Sequence, residues 1–127
     1  MSNIIYKELS DRVIGCAIAV HKGVGSGFME TIYENSMCLE LGINDIPYQK
    51  QKVYKVYYRN RIVGNYLADI VVDNKIILEI KSASEMNVTM TAQVLNYLNV
   101  SRVPVGYLIN FRNLKVEFKR FVMCPGL

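Results

Sequence analysis

The sequence predicts an α/β fold in the order ααβββαββ, a central mixed sheet with helices packed against it. Three observations carry this prediction. Apolar residues recur at helical spacing in the first third of the chain and again after Glu85. Between these stretches lie three runs rich in β-branched and aromatic residues, separated by short polar turns. Two further β-rich runs close the chain.

Each element has its own signal. Ser10 stands as an N-cap, after which Val13, Ile14, Ala17, Ile18 and Val20 keep a helical period. Gly23-Val24-Gly25-Ser26-Gly27 ends that helix; its glycines suit a loop needing positive φ and close packing. A second helix is expected over 28–41, with Met29, Ile32, Tyr33, Ser36 and Met37 on one broad face and Gly42 as its stop. After Pro47 the period changes. Residues 52–58 read as a strand, Arg59-Asn60 as a turn, 61–72 as a second strand, Asp73-Asn74 as a turn and 75–81 as a third strand, an antiparallel meander. A third helix is expected over 85–100, with Met86, Met90, Val94, Tyr97 and Leu98 inward, and strands over 105–110 and 115–122.

Composition bounds the class. A chain of 127 residues fits one domain, 1–127, long enough to bury a core without staples. Hydrophobic residues make 51% and charged residues 20%, the balance of a globular protein and not of a disordered one. No apolar run approaches the ~18 residues of a membrane span, and the N-terminus lacks the pattern of a secretory signal, so a cytoplasmic protein without membrane partners is expected. Cys16, Cys38 and Cys124 have neither disulfide nor zinc spacing. The net charge of +4 tilts weakly toward polyanions. Lys50, Lys52, Lys55, Arg59 and Arg61 cluster, and read as the solvated face of an edge strand.

The chemistry is concentrated in two adjacent strands that are apolar except for Asp69, Glu79 and Lys81. Strands this apolar are buried on both faces, where ionisable groups are costly unless they pair or hold a metal. Glu79 and Lys81, two apart, share one face. A two-residue turn at Asp73-Asn74 sets Asp69 opposite Leu78. A three-residue loop sets it opposite Glu79, so a metal site requires an odd loop or a bulge. Two carboxylates so placed suit a hard cation, Mg²⁺ or Mn²⁺, and a neighbouring lysine suits an anionic transition state. The plainer reading is a lysine–carboxylate pair at a sheet end.

Two more strings sharpen the choice: Gly27-Phe28-Met29-Glu30-Thr31-Ile32-Tyr33, a GxxExxY pattern, and Gln93-Val94-Leu95-Asn96-Tyr97, a QxxxY pattern. With Asp69 and Glu79-Ile80-Lys81, the chain resembles the GxxExxY protein family of the PD-(D/E)XK nuclease superfamily, in its lambda-exonuclease-like branch. The likeness runs over 13–121. It takes in His21, Gln49-Lys50-Gln51 and Leu108-Ile109-Asn110-Phe111. It implies a PD-(D/E)XK (restriction-endonuclease-like) core and a divalent-metal-dependent nuclease, with DNA ahead of RNA as substrate. It makes Asp69, Glu79, Glu30 and the Ile80 carbonyl metal ligands, Lys81 the base or charge stabiliser, and Gln93 and Tyr97 phosphate contacts or orienters of the lysine. Met90 departs from the family, which often has histidine there. Read without the family, Glu30 is a first-turn acid favoured by the helix dipole, Tyr33 and Tyr97 are packing aromatics, and His21 complements a helix C-terminus. The rival functions are a non-catalytic nucleic-acid-binding or adaptor module that keeps the nuclease fold, and a structural protein with a buried ion network. A homodimer or a protein partner would complete so small a domain.

Overall fold

The computed structural model describes residues 4–123. Two helices, α1 (Lys7–Val24) and α2 (Glu30–Ile43), precede three strands, β1 (Tyr48–Tyr58), β2 (Arg61–Val72) and β3 (Ile76–Lys81). Helix α3 (Val88–Ser101) then leads to β4 (Val105–Asn110) and β5 (Glu117–Val122). The order is the expected ααβββαββ. The five strands lie in the order β1-β2-β3-β4-β5, with β3 and β4 parallel and the other pairs antiparallel. The parallel pair is joined through α3, as a crossover requires.

The two faces of the sheet have separate cores. On one, α1 and α2 cover Ile70, Val72, Ile76, Leu78, Ile80, Tyr107 and Ile109. On the other, α3 covers Tyr66, Ala68, Val71, Ile77 and Leu108. Gly106 lets α3 settle directly on β4, since a Cβ there would lie 3.0 Å from Leu98 and 3.1 Å from Val94. Because β3 and β4 are covered on both faces, every residue of β4 and all of β3 except Lys81 are buried.

Several boundaries differ from the sequence expectation. Helix α1 starts at Lys7, so Ser10 is no cap; it is buried inside the helix and accepts a 2.9 Å bond from Arg120 Nη1. The extra turn carries an exposed Lys7–Asp11 ion pair at 2.7 Å and offers the core a single apolar side chain, Leu9, too little to set a period. Helix α2 is shifted toward the C-terminus: Met29 is its cap and Gly42 lies within it. Met29 and Ile32 are exposed, and the buried stripe is Tyr33, Glu34, Met37, Cys38 and Leu41. Asn87 caps α3, its side chain accepting from the Met90 N–H at 3.0 Å, which puts the helix start beyond Glu85. Strand β1 begins four residues before Lys52. Cys16 and Cys38 are free and buried, and Cys124 lies outside the described residues. Among the described residues no helix is long and apolar enough to cross a membrane.

Candidate active site at a fork between strands

The loop between β2 and β3 has three residues, Asp73-Asn74-Lys75, because Val72 pairs with Ile76, Val71 with Ile77 and Ile70 with Leu78. Asp73 and Asn74 take the turn at positive φ (49° and 55°), a conformation these two side chains tolerate better than most. One step further along this register, Asp69 stands across from Glu79. The odd loop that a shared site requires is therefore present.

Regular pairing of β2 with β3 stops at Ile70 and Leu78. Beyond it the strands fork. The Asp69 carboxylate fills the fork, its Oδ2 accepting the Ile80 N–H at 2.9 Å, a bond that a strand carbonyl would otherwise take. The alternation of β2 breaks at the same place: Tyr66 and Ala68 belong to the α3 side, Ile70 and Val72 to the α1/α2 side. Across from Asp69 on β1, Gln51 has φ of 57°. The paired irregularity turns Asp69 and Gln51 out of the ladder, a common device for re-aiming side chains beside a functional site.

Glu79 is buried, and the Tyr66 hydroxyl donates to its Oε1. Burial raises the Glu79 carboxyl to about 8, and the Asp69 charge adds to the rise. The Tyr66 hydrogen bond and the Lys81 ammonium act the other way and are outweighed. Burial, then the Glu79 charge, push the Tyr66 hydroxyl well above the ordinary tyrosine range. Tyr97 is stacked on Tyr66 with ring centroids 3.7 Å apart, and feels Glu79 and Asp69 after the larger effect of its own burial. Lys81 is half-buried beside Glu79 and has no ion-pair partner among the described residues.

Helix α2 contributes an acid from the other side, and it is Glu34. This side chain is buried, receives the Gln51 amide at Oε1, and is held above the usual carboxylate range by burial, with the Asp69 charge acting in the same direction. Glu30, one turn earlier, is exposed, close enough to influence Glu34 and with no hydrogen bond to Asp69, Glu79 or Lys81. Tyr33 is fully buried and structural. Its ring stacks on Phe111 at 4.6 Å, and its hydroxyl donates to the Gly25 carbonyl (2.6 Å) and accepts from the Phe28 N–H (3.1 Å). It thus pins the glycine loop, where Gly25 and Gly27 have φ of 89° and 91°, and so fixes the start of α2. Gln93 is exposed one turn along α3 from Tyr97, without a polar partner among the described residues. His21 bonds the Asn113 carbonyl at 2.7 Å, away from the fork.

The fork thus gathers Asp69, Glu79, Lys81 and Tyr97, and leaves Glu30 and Gln93 at its margin. Sequence reasoning missed Glu34 and Tyr66, and gave Gln51 no role. A signal existed for Glu34: it heads the stripe of Met37, Cys38 and Leu41, and an acid on a helix's buried stripe is a buried acid.

A sequence profile of the PD-(D/E)XK nuclease superfamily matches residues 7–121. The chain belongs to this superfamily. The crystal structure of SSO0001 is similar in fold, with a TM-score of 0.58 and 14% sequence identity over 92% of this chain. The chain spans 59% of that protein's length. No curated protein matches it.

PD-(D/E)XK nucleases generally use divalent metals. The donor set here fits such an ion. Asp69 and Glu79 each have one oxygen tied, to the Ile80 N–H and the Tyr66 hydroxyl, and each retains a second. Burial and the Asp69 charge together disfavour the ionised Glu79, and a hard cation between the two carboxylates offsets both. Among the described residues no three His, Cys, Asp or Glu side chains form a closed metal cage. Two carboxylates, with the remaining coordination left to water and phosphate, are a way in which Mg²⁺ is commonly held.

Proposed function

We propose that this chain is a nuclease of the GxxExxY type in the lambda-exonuclease-like branch, hydrolysing phosphodiester bonds with Mg²⁺ or Mn²⁺, on DNA in preference to RNA. The observation that carries the reading is the fork itself: two carboxylates brought face to face by an odd loop, with Lys81 two residues from Glu79 on the same face. Asp69 and Glu79 would hold the ion, with the Ile80 carbonyl and Glu34 nearest to complete its surroundings. Such an ion, when bound, polarises a phosphate and lowers the pKa of an attached water.

The protein's own groups have separate tasks. Lys81, with no partner to neutralise it, is available to stabilise charge developing on the phosphate or to orient the attacking water. Tyr66 fixes the Glu79 rotamer, and Tyr97 backs Tyr66 by stacking, so the tyrosine of QxxxY acts one residue removed from the carboxylates. Gln93 faces solvent near the same helix face, where it meets substrate and not the metal. Glu34 takes the role that the motif alone would give Glu30, which contributes charge from outside.

One observation favours the alternative of a binding module without turnover. Burial raises the Glu79 carboxyl to about 8, which works against an ionised ligand, and the Tyr66 hydroxyl occupies one of its oxygens. A cleavage assay separates the two readings. Labelled single- and double-stranded DNA and RNA are incubated in Mn²⁺ with wild type, Lys81→Ala, Glu34→Gln and Glu30→Gln. The nuclease reading expects no cleavage by Lys81→Ala, a loss of roughly 10–100-fold for Glu34→Gln as for an outer metal-site partner, and less than about twofold for Glu30→Gln. Equal products from wild type and Lys81→Ala would identify a contaminant and leave the binding module.

A further inference from the structure

Strands β1 and β2 run well past the sheet. Their pairing continues from Tyr48 and Val72 out to Tyr58 and Arg61, whereas β3 pairs with β2 only at Ile70, Val71 and Val72. The outer part of the hairpin is thus a two-stranded arm. From Leu67 to its tip it measures roughly 20 Å at ~3.3 Å per residue. It leaves the domain beside Asp69 and Gln51, the residues that form the fork. The tip is a two-residue turn, Arg59-Asn60, with both φ positive (49° and 62°), the geometry that continues the twist of a ribbon.

The arm's surface is unlike a solvated edge. Between Asp45 and Asp69 there is no acidic residue, while Lys50, Lys52, Lys55, Arg59 and Arg61 all fall in this stretch. These five exceed the net charge of the whole protein, +4. An edge strand needs lysines only to discourage pairing, and that does not account for the apolar residues exposed among them. Tyr57 is 60% exposed, Tyr58 63% and Val63 61%, with Val53, Ile62 and Leu67 also open to solvent. Arg59 lies over the Tyr58 ring at 5.6 Å. Only the inner side of the arm is used by the fold, through Tyr54 and Val56 against α3. Basic groups interleaved with open aromatics are the surface that nucleic acid binds, by neutralised phosphates and by contact with bases and sugars.

We propose that the β1–β2 arm is a duplex-binding element, lying along a groove and holding phosphates so that the backbone crosses the fork; this rests on the nuclease reading for what happens there. The major groove of a duplex admits a two-stranded ribbon, and phosphate contacts from such a ribbon set register and orientation. Lys55, Arg59 and Arg61, which take no part in the fork, make the contacts. The exposed tyrosines and valines rest on the groove wall.

The test uses the intact chain in EDTA, where binding proceeds without cleavage, with a labelled 30-base-pair duplex and a 30-nucleotide single strand. Wild type is compared with Lys55→Gln/Arg59→Gln/Arg61→Gln across a series of salt concentrations. The arm predicts tighter binding of duplex than of single strand by wild type. It predicts at least a tenfold loss for the triple variant at low salt, and a salt slope shallower by about 2–3, near 0.9 for each phosphate contact removed. Thermal melting of the variant should match wild type, since all three side chains are exposed. Tyr57→Ser/Val63→Ser, which keeps every charge, should weaken binding and leave the slope unchanged. An unchanged affinity and slope in the triple variant would overturn the proposal. So would preference for the single strand, or a wild-type dimer in sedimentation that the variants dissolve without any effect on duplex binding. Because no metal is present, an inactive wild type in the Mn²⁺ assay would sink the nuclease reading and leave the arm standing. Full cleavage with unchanged duplex binding would sink the arm alone.

Discussion

Strand β2 is one continuous element with two different lives. From Asp69 to Val72 it is flanked by β1 and β3, and all but Asp69 are buried. From Arg61 to Asn65 it has only β1 beside it and is exposed throughout. The inner half carries an acid where the surroundings ask for apolar residues, and the outer half carries apolar residues where they ask for polar ones. Both are departures from what packing alone selects, and both fall on either side of the fork where β3 leaves β2. Local inconsistency of this kind collects at functional sites, because stability has no use for it. The difference teaches that the third strand decides: with it the strand is core and carries the candidate site, without it the strand is a surface that reaches outward.

The largest contrast should appear in stability, using one residue type on each side. Leu78 is fully buried on β3, and Leu67 is 48% exposed on the arm. Leu78→Ala should cost ~2–5 kcal/mol, as for a core leucine leaving a cavity, and Leu67→Ala within about 0.5 kcal/mol, as for a surface change. Urea denaturation measures both. A comparable cost at the two positions would mean that the arm is packed in solution and would break the comparison.

The next effect is electrostatic and confined to the inner half. In metal-free protein the Glu79 carboxyl is held at about 8, above its ordinary value of 4.5, by burial and by Asp69. Between those values the folded chain binds more protons than the unfolded one. The stability that this provides is therefore complete below about pH 4.5 and is lost as the pH rises through about 8, on the order of a few kcal/mol in all. Glu34, raised by burial, acts with the same sign. Denaturation in EDTA at pH 5 and pH 8 should give the lower stability at pH 8, and Glu79→Gln should remove most of the difference. Stability that rises with pH over this interval would contradict the burial assigned to Glu79.

Much of this was legible in the sequence. The order of elements followed from a change of hydrophobic period after Pro47 and its return near Asn87, and tertiary packing respects such periods. The fork was legible as a condition: Asp69 reaches Glu79 only across an odd loop, and the loop is odd. What remained hidden has physical causes. The first turn of α1 offers the core only Leu9, too little to set a period. The break in alternation at Asp69 and Gln51 is a backbone event between residues that admit regular strand geometry equally well. The GxxExxY string draws attention to Glu30, but a helix that begins at residue 30 with Tyr33 turned inward brings Glu34 to the buried side and leaves Glu30 in solvent. Tyr66 was masked because a tyrosine in a strand is ordinary until its hydroxyl is seen on a carboxylate. The basic residues of the arm were legible as charge. That they stand on a ribbon unsupported by a third strand was not.

The most direct test of the central claim is thermal melting of wild type, Asp69→Ala and the arm variant Lys55→Gln/Arg59→Gln/Arg61→Gln with and without Mn²⁺. A ligand held only by the native state at about 100 times its dissociation constant adds ~2.7 kcal/mol, a rise of roughly 10 °C for a domain of this size. The account predicts that rise in wild type and in the arm variant, and none in Asp69→Ala, whose fold is otherwise retained. An equal rise in all three would place the metal elsewhere, and no rise in wild type would mean that the fork is a buried carboxyl pair and not a metal centre.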